Sequence, residues 1–227
     1  MQSAISNPHS FSDTRRSLTD QAYRRLEEMI ATLKLKPGAV LSEAQLVDAL
    51  KIGRTPIREA LQRLTAEGMV EILPRKGILV SEINPQKQLL LLEVRREVDR
   101  LLARTGAVRA YTNERARFSD IADEMDAAAE AKDGIGFMRQ DGEFNALLAN
   151  ASHNEYAIRA IRMMNGLSRR FWYMHFQRAA DLPLCARLHA TLARAISTGD
   201  PEAATLASDK LVDYVEVFTR ATIEVTS

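Results

Sequence analysis

Residues 53–64 read GRTPIREALQRL, and this stretch decides how the N-terminal part of the chain folds. Apolar side chains recur in it at intervals of three and four residues, which predicts a helix with one buried face. Thr55 is suited to cap this helix and Pro56 to begin it, because the first helical residues donate no main-chain hydrogen bond within the helix. The residues of the predicted buried face are Ile57, Ala60, Leu61 and Leu64.

Two arginines, Arg54 and Arg58, lie at the start of this helix and on a different face from its apolar residues. The positive end of the helix dipole lies there, so a cation is placed unfavourably unless an anion is near. DNA supplies such an anion, and the planar guanidinium group can also donate two hydrogen bonds to guanine. The sequence therefore predicts that these arginines bind DNA. The alternative is a pair of solvated surface arginines that form ion pairs with Glu59 or Glu43.

The segments on either side complete a typical order of elements. SLTDQAYRRLEEMIATL at residues 17–33 has the periodicity of a helix with one buried stripe, and Ser42 is placed to cap a second helix. Gly68 ends the third helix, and MVEILPRKGILVSEI then predicts two short apolar strands around a basic turn at residues 74–77. Three helices followed by a two-stranded hairpin are typical of a winged helix-turn-helix, here over residues 18–81.

The run PGAVLSEAQLVDALKIGRTPIREALQRLTAEGMVEILPRKGILV resembles the winged helix-turn-helix of the GntR family of bacterial transcription regulators. The characteristic Arg-Thr-Pro, apolar residue, Arg-Glu-Ala-Leu of that family stands at residues 54–61. Gly53 departs from the small hydroxyl residue that commonly precedes the arginine, so the phosphate contact made there does not carry over. The resemblance implies that double-stranded DNA is the partner. The DNA contacts it implies, on the third helix and the wing, are Arg54, Thr55, Arg58, Arg75, Lys76 and Gly77.

The second region, residues 86–223, is predicted to be helical throughout, because no segment alternates as a strand does. Asn84 can cap its first helix and Pro85 can begin it. Short connections between the segments predict an antiparallel bundle of six or seven helices, so the fold class is mainly α. The later helices are expected at about residues 113–131, 137–150, 154–177, 184–198 and 201–223.

This region resembles the FCD domain of the FadR-like branch of the GntR family, a ligand-binding domain in which many members hold a divalent metal with one Asp and three His. The resemblance covers about residues 86–222, and the four metal positions fall on Asp141, Asn145, His189 and Leu211. Because an amide and a leucine replace two histidines, we expect an organic effector to bind directly, without a tightly bound metal. A hard cation held partly by water remains open. The predicted effector-binding residues are Arg95, Asp141, Asn145, Arg169 and His189.

Composition narrows the class of protein further. Of the 227 residues 46% are hydrophobic, which is enough for a substantial core, and no stretch has the length and hydrophobicity of a membrane span. The N-terminus lacks a signal-peptide pattern and Cys185 is the only cysteine, which fits a cytoplasmic protein. The net charge of +1 does not by itself indicate nucleic acid, so the DNA-binding hypothesis depends on where the cations lie. Residues 1–17 are polar and predict a flexible arm.

These features together predict a bacterial transcription regulator, by default a repressor. We expect it to bind a short inverted-repeat operator as a homodimer and to respond to a small-molecule metabolite. One alternative is a metal-dependent, carboxylate-sensing regulator of the same family. The other is an enzyme that uses Asp141 and His189 as acid and base, although no nucleophile elbow, P-loop or dinucleotide motif supports it.

Overall fold

The computed structural model describes residues 17–224, apart from the side chains of residues 135, 177–179 and 224. Within these residues the chain forms nine helices and three short strands. In chain order they are α1 (Leu18–Ala31), β1 (Val40–Leu41), α2 (Glu43–Leu50), α3 (Arg54–Ala66), β2 (Val70–Leu73), β3 (Gly77–Val80), α4 (Pro85–Arg109), α5 (Thr112–Ala131), α6 (Gly134–Ala151), α7 (Glu155–Ala179), α8 (Leu182–Thr198) and α9 (Pro201–Glu224).

The elements from α1 to β3, here called the head, form the predicted winged helix-turn-helix. Ser42 caps α2: its hydroxyl accepts a hydrogen bond from the main-chain N–H of Gln45, and its own N–H donates to the Gln45 side chain. The four predicted apolar residues of α3 are all buried. The head core consists of Ala22, Leu26, Ile30, Leu46, Leu50, Ile52, Ile57, Ala60, Leu61, Leu64, Met69, Val70, Ile78 and Val80.

The prediction that Thr55 caps α3 was wrong, because the helix begins earlier. Gly53 is the N-cap, and Arg54 is the first helical residue. Pro56 therefore lies third in the helix, where it is still tolerated because the main-chain N–H groups of the first turn have no partner within the helix. The shift places Arg54 and Thr55 within the first turn.

The wing has three strands, not two. Val40 and Leu41 form β1, which pairs antiparallel with β3 opposite Leu79 and Ile78, and the strand order is β1-β3-β2. A strand of two residues carries no periodicity that the sequence could show. It is defined only by its hydrogen bonds to a strand almost forty residues further along the chain.

The elements from α4 to α9, here called the bundle, are all helical, as predicted. Asn84 caps α4 by accepting a hydrogen bond from the N–H of Lys87, and Pro85 begins it. Two antiparallel pairs dominate: α4 lies along α9, with Arg96 bonded to Asp213, and α5 lies along α8.

Two helices of the bundle begin earlier than predicted. The break expected at residues 133–136 is shorter, because Asp133 accepts a hydrogen bond from the N–H of Gly136 and the helix already begins at Gly134. Similarly, Asp181 caps α8, so that Pro183 lies in its first turn and does not interrupt it.

Helix α7 joins the bundle to the head. Leu167 packs against the head core, and the buried guanidinium of Arg170 donates to the carbonyl oxygens of Ser81 and Glu82, both at 3.0 Å. Arg169 forms ion pairs with two glutamates of α1, described below. One helix of the bundle, α7, therefore holds both the head and the short segment between β3 and α4.

The predicted arm of residues 1–17 falls outside the described residues except for Ser17, which caps α1. None of the helices within residues 17–224 combines the length and hydrophobicity that crossing a membrane requires.

Candidate DNA-binding surface and effector cavity

The start of α3 exposes the residues predicted to contact DNA. Arg54, Thr55 and Arg58 are all exposed. Gly53, the N-cap, has no side chain to accept a hydrogen bond from the first main-chain N–H groups. These donors and the two cations together make a surface suited to a phosphate group.

Arg58 has a partner within the head. Its Nε donates to both carboxylate oxygens of Glu43 at 2.9 Å, while Glu59 accepts a hydrogen bond from Thr19. The hydrogen bond from Arg58 lowers the pKa of Glu43. The pairing with Glu43 that the sequence left open thus exists in the DNA-free protein. Both side chains remain accessible, at 61% and 35%, and exposed pairs of this kind contribute little to stability, so DNA can displace Glu43.

The wing ends in a tight turn that exposes Arg75 and Lys76. Lys76 N–H donates to the carbonyl oxygen of Leu73 at 3.1 Å, and Arg75 has a φ of 63°. A proline at the second turn position and a positive φ at the third are the pattern of a type II turn, in which glycine or asparagine is preferred at the third position. An arginine at this strained position is an exception to that preference.

Gly77 follows the turn with a φ of 114°, and a Cβ atom there would lie 2.4 Å from the carbonyl oxygen of Leu41. Only glycine therefore fits at the start of β3, where the main chain passes close to β1. The structure gives Gly77, which was predicted as a DNA contact, a role in shaping the wing.

A cavity of about 1150 Å³ lies within the bundle and extends to α1 of the head. All four positions that the resemblance linked to a metal line it: Asp141, Asn145, His189 and Leu211. Aromatic side chains close part of it, including Phe171 and Trp172 of α7. The structure thus brings together residues that lie 70 positions apart in the sequence.

Asp141 and His189 form an ion pair at the cavity, in which His189 is buried and the Asp141 side chain is 25% exposed. His189 Nε2 lies 3.1 Å from Oδ1 of Asp141, and His189 Nδ1 lies 2.9 Å from the carbonyl oxygen of Cys185. Because both ring nitrogens face acceptors, each carries a hydrogen and the ring is a cation. Burial alone would lower the pKa of His189, but the adjacent Cys185 and the hydrogen bond to Asp141 raise it well above its ordinary value. Burial likewise opposes the ionisation of Asp141, yet His189 keeps the pKa of Asp141 below its ordinary value.

Two buried polar atoms on α7 lack a hydrogen-bond partner among the described residues: Oγ of Ser168 and Nε1 of Trp172. Both residues line the cavity and lie one helical turn apart. An unpaired donor in a buried site is unfavourable unless a ligand or water completes it. No motif in the sequence marks Ser168 as a cavity residue, because a single serine within a helix has no pattern of its own.

Comparison with protein families agrees with this architecture. Residues 18–80 match the family model described as "Bacterial regulatory proteins, gntR family", and residues 90–214 match the FCD domain. The second match alone covers more than half of the chain.

The chain belongs to the GntR family, in the branch with an FCD domain. It is a DNA-binding transcription regulator, and the family points away from the enzyme alternative that used Asp141 and His189.

Relatives of this GntR protein carry regulator names. It is 31% identical over 137 residues to the Nta operon transcriptional regulator of Aminobacter aminovorans, a match covering 60% of this chain and 65% of the relative. It is 24% identical over 186 residues to the HTH-type transcriptional repressor RspR of Escherichia coli, covering 82% of each chain. A further regulator, from Streptomyces ambofaciens, is 43% identical over 65 residues, covering 29% of this chain and 28% of the relative. The matches thus span less than two thirds of two of these relatives.

Solved structures show the same fold. E. coli McbR/YncC superposes with a TM-score of 0.77 at 19% identity, covering 92% of this chain and 99% of that one. A putative GntR regulator from Rhodococcus sp. RHA1 gives a TM-score of 0.66 at 22% identity, covering 91% and 99%.

The residues at the FCD metal positions of this GntR protein do not fit a metal ion. Nδ2 of Asn145 donates to Asp141, both ring nitrogens of His189 face acceptors, and Leu211 offers no donor atom. Among the described residues, no group of three or more His, Cys, Asp or Glu side chains is arranged to hold a metal. The cationic ring of His189 lies instead beside the carboxylate that a metal would need.

Two arginines predicted to bind an effector line the cavity but already have carboxylate partners. Arg95 Nε donates to Asp99 at 3.1 Å. Arg169 donates to Glu27 at 2.9 Å and to Glu28 at 2.8 Å, both on α1. Arg169 therefore connects the cavity wall to the head.

Proposed function

We propose that this GntR-family regulator is a cytoplasmic repressor that binds a short inverted-repeat operator as a homodimer and leaves it when a metabolite occupies the bundle cavity. The observation that carries the DNA-binding part is the exposed start of α3, where Arg54 and Arg58 surround unbonded main-chain donors. The repressor name of RspR supports the sign of regulation.

The DNA contacts divide by chemistry. Arg54, Thr55 and Arg58 enter the major groove from α3, with Arg58 exchanging Glu43 for a guanine edge. Arg75 and Lys76 of the wing contact phosphates, which adds affinity without sequence preference. Gly77 contributes by letting the wing turn form.

A matched pair of variants tests the α3 contact. Arg58→Ala is expected to bind the operator about 5- to 150-fold more weakly, the range for loss of a bidentate base contact, while the fold is kept. Glu43→Gln removes the competing carboxylate and is expected to bind the operator as well as wild type or better. Both are measured by fluorescence anisotropy against operator and scrambled duplexes. Unchanged affinity of Arg58→Ala would remove it from the interface.

The effector binds without a metal in this proposal. Asp141, Asn145 and His189 present a carboxylate, an amide and a cationic ring at one wall of the cavity, and Arg95 lies beside them. An effector with hydrogen-bond acceptors satisfies the unpaired Nε1 of Trp172 and approaches the cation of His189. Arg169 is placed to respond to the ligand through its ion pairs with α1.

Ligand screening by thermal unfolding tests this site. A ligand at a hundred times its Kd stabilises the folded state by about 2.7 kcal/mol, which is a readily measured shift. We expect the stabilisation to persist in a chelator and to be lost in Trp172→Phe, which keeps an aromatic, though smaller, ring and removes the N–H donor. Stoichiometric zinc, nickel or manganese in protein purified without added metal would favour the metal-dependent alternative.

A further inference from the structure

The cations around the effector cavity are already neutralised by the protein's own carboxylates. Three basic residues of the bundle line the cavity without being exposed, and each forms an ion pair with an acidic residue that also lines it. The pairs are His189 with Asp141, Arg95 with Asp99, and Arg169 with both Glu27 and Glu28. Four carboxylates therefore surround three cations, so this part of the cavity carries no excess of positive charge.

An anionic ligand would gain little from such a cavity. To bind a carboxylate, Arg95 would have to leave Asp99, whose side chain is only 12% exposed and would become a charge without a partner. Both ring nitrogens of His189 face protein acceptors, so this ring has no N–H left to donate to a ligand. The other basic residues that line the cavity from the bundle, Arg139 and Arg162, are exposed, and water and salt screen their charges.

Polar groups that can still bond to a ligand in the cavity are uncharged. Nδ2 of Asn145 donates to the main-chain oxygen and to Oδ1 of Asp141, at 2.8 Å and 2.9 Å. The amide oxygen of Asn145 accepts no hydrogen bond from a described residue, so it can accept one from a ligand. Oγ of Ser168 and Nε1 of Trp172 have no protein partner within the described part of the chain. These three residues offer a ligand an amide oxygen, a hydroxyl and an indole N–H.

The walls around Trp172 are largely apolar. The centroid of its ring lies 4.7 Å from that of Phe218 on α9 and 6.2 Å from that of Phe137 on α6. Leu92 of α4 and Leu211 of α9 line the same cavity. Its volume of about 1150 Å³ is large enough for a drug-sized molecule. Burial of apolar ligand surface is favourable in such surroundings, whereas burial of a charge without a partner is not.

We infer that the effector is an uncharged, largely apolar molecule with a carbonyl or hydroxyl oxygen, and that the cavity's own ion pairs exclude carboxylates. The ligand oxygen accepts a hydrogen bond from Nε1 of Trp172 or from the hydroxyl of Ser168, and a ligand N–H or O–H donates to the amide oxygen of Asn145. The inference rests on the proposed effector site and names the chemical class of its ligand. A carboxylate-sensing regulator would instead need an enclosed cation without a partner.

Two fluorescent probes that differ in charge but hardly in shape test this ligand class. Dansylglycinamide and dansylglycine share one skeleton, which ends in a primary amide in the first and in a carboxylate in the second. Trp172 is the only tryptophan and lines the cavity, so energy transfer from it to the dansyl group detects a probe bound beside it. We expect the Kd of dansylglycine to be at least about tenfold that of dansylglycinamide, because the carboxylate meets no enclosed cation without a partner.

Two variants, each with a matched control, locate the effect in the cavity. Asp99→Asn leaves Arg95 without its carboxylate, so the ratio of the two Kd values is expected to fall at least about fivefold. Glu93→Gln, at an exposed site on the same helix, is expected to leave the ratio unchanged. Ser168→Ala is expected to weaken binding of dansylglycinamide about two- to tenfold, the effect of one hydrogen bond, whereas Ser119→Ala, at an exposed site on α5, is expected to have no effect. Circular dichroism verifies that each variant is folded.

The outcomes separate this inference from the proposed function. A Kd of dansylglycine equal to or below that of dansylglycinamide, or a ratio that Asp99→Asn leaves unchanged, overturns the uncharged ligand class and leaves the regulator intact. Absence of energy transfer from Trp172 to either probe overturns both the ligand class and the effector cavity. A preference for the amide in a protein that binds operator and scrambled duplexes equally supports the ligand class and overturns the operator proposal.

Discussion

At the scale of single residues, Arg75 at the tip of the wing has a backbone conformation that arginine normally avoids. A residue other than glycine costs about 1 kcal/mol or more in the left-handed region, and Arg75 occupies that region with a φ of 63°. Strain of this kind is typical of functional positions. A side chain whose backbone destabilises the turn yet points into solvent is best explained by a partner outside the chain.

Arg75→Gly separates the backbone strain at this position from the contact that the arginine side chain makes with DNA. We expect the free energy of unfolding in urea to stay the same or rise by up to about 1 kcal/mol, because relief of the backbone strain exceeds the added entropy of the unfolded chain. Operator and non-operator DNA are both expected to bind more weakly, with a salt dependence reduced by about one phosphate contact. Arg75→Ala is the matched control: it loses the charge without relieving the strain. An unchanged salt slope in both variants would place the wing away from phosphate.

His189 is the second residue whose state follows from its contacts. Acceptors at both ring nitrogens make it a cation, and the folded-state pKa lies well above the ordinary value. A raised pKa means that the contribution of the charged ring to stability is complete below the unfolded-state pKa of about 6.5. It is then lost progressively as the pH rises towards the folded-state pKa.

The charge of His189 is measurable by nitrogen-15 NMR of the imidazole rings. At pH 7.5 both nitrogens of this ring are expected to carry hydrogen, in contrast to an exposed histidine. Asp141→Asn, which keeps the shape but removes the charge, is expected to lower the pKa of His189. A neutral ring in the wild-type protein at pH 7.5 would contradict the ion pair.

At the scale of elements, α7 combines two roles along one helix. Ser168 and Trp172 line the cavity with polar atoms that have no partner among the described residues. Leu167, Arg169 and Arg170, in the same stretch of the helix, contact the head. A ligand that bonds to the first pair acts on the same helix that holds the head. The coupling path proposed here is therefore one helix with two sets of contacts.

Arg170→Met tests how strongly α7 holds the head. The variant keeps much of the side-chain volume but leaves the carbonyl oxygens of Ser81 and Glu82 without their charged donor. We expect the free energy of unfolding in urea to fall by about 1.5 to 3 kcal/mol, the range for a hydrogen bond to a charged group. Arg162→Met, an exposed arginine on the same helix, is expected to change it by less than about 0.5 kcal/mol. Equal effects of the two variants would show that the junction contributes nothing specific.

At the scale of the whole molecule, regulation requires that the cavity and the DNA-binding surface influence each other. An effector that changes operator affinity by a given factor must have its own affinity changed by the same factor when operator is bound. The junction on α7, where Arg169 and Arg170 contact the head, is the physical link between the two sites.

The reciprocity gives a quantitative prediction for any effector found by screening. If it weakens operator binding tenfold, calorimetric titration of the effector into the protein–operator complex is expected to give a tenfold weaker Kd than titration into free protein. The factor by which bound operator changes the effector Kd is expected to be smaller in Arg169→Gln. This variant removes the ion pairs to α1 while Asp141 and His189 remain. Equal Kd values with and without operator would show that the compound is not the regulator's effector.

The sequence by itself determined the helices and the order of the head elements, because periodicity, caps and turn residues act over a few positions. The cavity residues Asp141 and His189 followed from the resemblance to the FCD domain, not from any local pattern. The predictions that were wrong concern helix ends: the start of α3 and the breaks before α6 and α8. At such positions neighbouring residues can each cap the helix, and local sequence does not decide between them. Tertiary structure alone decided the third strand, the pairing of Arg58 with Glu43 and the use of Arg169, whose partner Glu27 lies 142 residues away. Such contacts depend on how complete elements pack, and no local pattern encodes which charged or apolar face of one helix meets another.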